Sequence, residues 1–98
     1  MLIMRGKSKD MPSDNYQGQY KSLKSYCLVL FNDYVNSFDF IVENLIDICN
    51  HDPIQAEQCT FIAHHKGKCD IKLGSHSQLE DMKLEFDLKG ITTVICAN

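Results

Sequence analysis

Apolar positions change their period several times along this chain, and each change marks an element. From Met1 to about Lys24 there is no helical or alternating period. Those residues are polar, contain Gly and Ser and are locally basic at Arg5, Lys7, Lys9, Lys21 and Lys24, which predicts a flexible N-terminal tail over 1–24. Tyr26 to Phe31 is a short run of β-favouring residues ended by the turn formers Asn32 and Asp33, so it predicts a buried strand. Beyond that loop, Phe38, Ile41, Val42, Leu45, Ile48 and Cys49 fall on one face of a helix that stops near Asn50. Asn36, with Asp39 three residues on, predicts its capped start.

Asp52 before Pro53 opens a second helix, because proline suits the first helical position and Gln55 stands where a capping-box partner would. It should run to about His65 and end at Gly67, with His64, His65 and Lys66 at the end that favours positive charge. Cys69, Ile71 and Leu73 alternate with Asp70 and Lys72, the period of a strand with one wet face. Ser75 or Ser77 caps a third helix with Leu79, Met82 and Phe86 inward and Gly90 closing it, and Ile91 to Cys96 is the last strand. The order β-α-α-β-α-β predicts one α+β domain over 25–98, three helices packed on a three-stranded antiparallel sheet.

Composition narrows the setting without changing this plan. With 98 residues, 44% hydrophobic and 23% charged, the chain has room for one small core. The longest apolar run, Cys27 to Phe31, is far short of the roughly 20 residues a spanning helix needs, and the basic start has no hydrophobic segment behind it. A cytoplasmic location is expected. The five cysteines lie in apolar or periodic stretches and read as reduced thiols. A formal net charge of -3 gives no general attraction to nucleic acid.

Three groups of residues could carry chemistry. Phe31-Asn32-Asp33 sits at a strand end, where binding residues gather, although turn formation alone would account for Asn32 and Asp33. His64-His65-Lys66-Gly67-Lys68 closes a helix; the helix dipole accounts for one histidine and leaves the other to explain. Cys59, His64 and Cys69 offer thiol and imidazole ligands but lack the paired Cys-x-x-Cys spacing of structural zinc sites. Both cysteines fall on core-facing positions, whereas a nucleophile must be exposed.

Taken in order, Leu28-Val29-Leu30-Phe31-Asn32-Asp33, Phe38-Asp39-Phe40-Ile41-Val42 and His64-His65-Lys66-Gly67-Lys68 resemble the ClpS family, adaptors of ATP-dependent Clp proteases, over roughly Tyr26 to Ile95. The resemblance implies a binding module with no catalysis and no cofactor. Its substrates would be N-degron proteins, recognised by a free N-terminal Leu, Phe, Tyr or Trp. Its partner would be the N-terminal domain of a Clp AAA+ ATPase of the ClpA or ClpC type, with the tail over 1–24 taking part in delivery. The family's ammonium-binding Asn and Asp fall on Asn32 and Asp33, and its helix histidine on His64. The side-chain pocket would be lined by Asn36, Phe38, Ile41, Thr60 and Ala63. Tyr34, Asn36, Ser37, Phe38 and Thr60 depart from the family's usual Asp, Thr, Pro, Met and Met, which alters the pocket's shape. Two other readings share parts of the pattern: a ribosomal stalk-like interaction domain, which has the same element order but no use for Asn32, Asp33 and His64, and a small Cys/His metal or thiol protein.

Overall fold

The computed structural model describes residues 25–98. The predicted tail over 1–24 lies outside the described residues. The element order is strand β1 (Tyr26–Phe31), helix α1 (Phe38–Cys49), helix α2 (Pro53–Lys66), strand β2 (Lys68–Gly74), helix α3 (His76–Leu88) and strand β3 (Thr93–Ala97). The three strands form an antiparallel sheet in the order β2-β1-β3, and the helices pack on it, as the periods predicted. β1 is central, which is why it reads as a continuous apolar run rather than an alternating one; Cys27, Val29, Leu28 and Leu30 are all buried. Leu28 and Leu30 join Ile41, Leu45, Ala56, Leu79, Phe86 and Ile91 in the hydrophobic core.

The helix ends follow the sequence signals, with one correction. Asp52 caps α2 by accepting from the Gln55 N–H at 2.8 Å, and Ser75 caps α3 by accepting from the Gln78 N–H at 3.2 Å. Gly67 closes α2 with φ 97°, a conformation that glycine adopts without a Cβ clash. The cap of α1 is Ser37, not Asn36: the Ser37 Oγ accepts from the Phe40 N–H, and the Asn36 side chain is engaged elsewhere. Phe38, expected on the core face, is the first residue of α1 and remains 44% exposed.

The simple alternation predicted for β2 also fails. Leu28 pairs with Lys72 and Val29 with Asp70, so Ile71 is the extra residue of a bulge. Beyond the bulge the facing of the side chains changes, leaving Leu73 exposed while Lys72 reaches back to the Cys49 carbonyl. The ring of His51 is buried against this bulge, with Nε2 2.7 Å from the Ile71 carbonyl, so the Nε2–H tautomer donates to a carbonyl outside the regular pairing. The last strand is displaced slightly from its predicted span. Ile91 belongs to the buried turn, where its N–H donates to the Phe86 carbonyl at 2.9 Å, and pairing begins at Thr93.

Candidate functional site

The end of β1 is held against the end of α2 by a backbone hydrogen bond, Asn32 N–H to the Gly67 carbonyl at 2.9 Å. This joint places the strand-end motif beside His64. A cavity of about 200 Å³ opens there between α1 and α2, and Asn32, Asp33, Asn36, Phe38, Ile41, Thr60, Ala63 and His64 all line it. These eight side chains are the ones singled out from the sequence. Leu30 and Phe31 also line it; neither was expected in the pocket, although Phe31 belongs to the strand-end group singled out from the sequence. The volume lies below the roughly 300–1,000 Å³ usual for small-molecule sites, so the space suits one large side chain rather than an extended ligand.

Most of the wall is apolar. Leu30, Ile41 and Ala63 are buried, and the Thr60 hydroxyl donates within its own helix to the Ala56 carbonyl at 2.7 Å, so it offers no donor to an occupant. The polar groups collect at Asn32, Asp33, Asn36 and His64. Asp33 Oδ1 accepts from the N–H groups of Val35 and Asn36 at 2.8 and 2.9 Å, and Oδ2 accepts from Asn36 Nδ2 at 2.5 Å. Burial pushes the Asp33 carboxyl up, but the bonds from the Asn36 backbone and side chain and from the Val35 N–H outweigh it and hold the group below its ordinary value. Asn36 Nδ2 also donates to the Gly90 carbonyl at 3.0 Å and so ties the loop to the far end of α3.

A carboxylate has about four lone-pair sites, and three are filled at Asp33. Asn32 Oδ1 accepts from the Asp33 N–H at 2.8 Å, and a carbonyl oxygen can take a second donor. His64 is exposed on the last turn of α2, its ring 5.2 Å from that of His65. His65 does not line the cavity; its ring lies 4.1 Å from that of Phe61 instead. The two histidines therefore separate, one to the cavity and one to the outer face of the helix.

The thiols are arranged differently. Burial pushes Cys27 up to about 11 and Cys49 and Cys69 each up to about 12, the last assisted by the neighbouring Cys59 thiol, so all three stay protonated at neutral pH and are poor nucleophiles. Among the described residues no three His, Cys, Asp or Glu side chains converge as metal ligands. No described helix is long and apolar enough to cross a membrane.

Comparison with known proteins points one way. The family model described as ATP-dependent Clp protease adaptor protein ClpS matches residues 21–87. The solved structure of Agrobacterium tumefaciens ClpS2 bound to L-phenylalaninamide has the same fold, with a TM-score of 0.73 at 17% sequence identity over 78% of this chain and 99% of that one. No curated protein sequence matches significantly. Because the family match spans about two thirds of the chain and includes both the strand-end Asn32-Asp33 and the His64 helix, the chain belongs to the ClpS family of ATP-dependent Clp protease adaptors.

Proposed function

We propose that the cavity takes the N-terminal residue of an N-degron protein, a large hydrophobic Leu, Phe, Tyr or Trp, and that the adaptor delivers its cargo to a Clp AAA+ ATPase of the ClpA or ClpC type. The observation that carries this reading is an apolar cavity of single-side-chain size with three acceptors at its polar end, one of them an ionised carboxylate with a lone-pair site to spare. An α-ammonium group is a cation with three donors, and Asp33 Oδ2, Asn32 Oδ1 and a neutral His64 nitrogen supply three acceptors. Among the described residues no side-chain cation forms an ion pair with Asp33. The phenylalaninamide bound by the Agrobacterium protein supports the same chemistry, since it carries a free α-ammonium and an amide in place of a carboxylate.

Fluorescence anisotropy with peptides that differ only at the first residue tests the assignment. Leu and Phe should outbind Val and Ile, because branching at Cβ crowds the entry beside the ammonium site. Acetylating the α-amine of a Leu-starting peptide removes one partner of a hydrogen-bonded charge pair. That typically costs about 2–5 kcal/mol, roughly a thirtyfold to several-thousandfold loss of affinity. Equal binding of free and acetylated peptides would refute the ammonium-recognition mechanism.

A further inference from the structure

Helix α2 is apolar on two sides. Ala56, Cys59, Thr60 and Ala63 face inward and are buried, while Ile54, Phe61 and Ile62 face outward at 69%, 56% and 38% exposure. With Phe38 of α1, Glu57 and Gln58 these outward residues form a shallow shelf on the surface. Contiguous exposed apolar side chains of this kind mark contact surfaces more often than chance placement.

The shelf is continuous with the cavity at both ends. Phe38 lines the cavity and the shelf alike, and at the other end the Phe61 ring packs on His65, whose ring meets that of His64. A substrate chain anchored by its first residue can leave across this rim. With the ammonium held by Asn32, Asp33 and His64, the tetrahedral geometry at Cα sends the carbonyl, and the rest of the chain, away from those anchors. Phe38 is the cavity residue that continues outward onto a second apolar surface. An extended chain returns side chains to the same face every second residue, roughly 7 Å apart, so the third residue lies on the protein side as the first does.

We propose that the shelf is a second subsite, which receives an apolar side chain from the third residue of the substrate. The preferred cargo is then a protein whose hydrophobic character extends beyond its first residue. This rests on the reading that the cavity holds that first residue.

Three peptides separate the two ideas: Leu-Ala-Ala, Leu-Ala-Phe and Leu-Phe-Ala, each followed by the same polar sequence and titrated into the 98-residue chain and into its Ile54→Ser and Phe61→Ser variants. Phe at the third position should strengthen binding by about threefold to thirtyfold, as partial burial of an aromatic ring allows, while Phe at the second position changes little. Each variant should remove most of that gain and leave Leu-Ala-Ala unchanged. If Leu-Ala-Ala itself does not bind, the first-residue reading fails and the shelf proposal with it. If it binds but Phe at the third position adds nothing, or the gain persists in both variants, the subsite alone is overturned. Sedimentation of the same variants covers the other occupant: a change in self-association with no change in peptide discrimination assigns the shelf to a second copy of this chain and overturns the proposal.

Discussion

At Asp33 the carboxylate proposed to meet a cation already accepts three hydrogen bonds, from Val35 and twice from Asn36. Those bonds hold it ionised to lower pH than an ordinary aspartate and fix its direction. Because its folded value is depressed, its contribution to stability is present above the ordinary 3.8 and is lost only as pH falls through the lower folded value. Protonation of Asp33 should therefore leave peptide binding untouched down to about pH 4.5, and a loss traceable to Asp33 at higher pH would contradict the hydrogen-bond arrangement. The substitutions should follow the same order of interactions. Asp33→Ala should nearly abolish binding of a Leu-starting peptide, whereas His64→Ala, which removes a neutral acceptor, should cost about 1.5–3 kcal/mol. His65→Ala, whose ring lies outside the cavity, should matter little. Anisotropy titrations with circular dichroism on each variant check the ranking, and a His65 effect as large as that of His64 would overturn the roles given to the pair. Asn32, Asp33 and His64 could be chosen together from the sequence only through the ClpS resemblance, since turn formation accounts for the first two and 31 residues separate Asp33 from His64. The role of Asn36 could not, since its second partner, the Gly90 carbonyl, lies 54 residues away and no short-range pattern points to it.

Among the elements, β2 departs furthest from its pattern, and His51 explains how the departure is tolerated. A bulge leaves Ile71 outside the regular pairing, and its carbonyl accepts from a buried imidazole supplied by the α1–α2 connection. His51→Phe keeps most of the volume but leaves that carbonyl without its donor, and so should destabilise by about 1–3 kcal/mol. His51→Ala adds a cavity and should cost more. Urea unfolding midpoints measure both, and a neutral His51→Phe would show that the hydrogen bond is dispensable. The sequence placed β2 correctly but not the bulge, because alternation assumes one residue per pairing position. For α2 the boundaries were legible in Asp52, Pro53 and Gly67, each a local backbone device. It did not separate the inward stripe from the outward one, since a helix apolar on both sides has no single hydrophobic direction.

For the whole molecule, every described residue that lines the cavity lies between Leu30 and His64, and the first described element begins at Tyr26. Removal of residues 1–24 should therefore leave both the cooperative unfolding transition and the affinity for a Leu-starting peptide unchanged. Delivery to the protease is the step to examine for a loss. A truncated protein that unfolds, or stays folded and binds peptide more weakly, would show that those residues belong to the core or the site. The chain by itself determined the order and type of its elements and the cap Asp52, and it narrowed the cap of α3 to Ser75 or Ser77. Each of these depends on residues a few positions apart, where period, backbone preference and side-chain reach are set by local geometry. Only the tertiary structure decided that Ser37 rather than Asn36 caps α1, that Asn36 locks Asp33 to the end of α3, that His51 serves the bulge, and that Phe38 joins the cavity to a shelf. Those outcomes turn on which distant surfaces meet, and packing between elements, not periodicity within them, selects the partners.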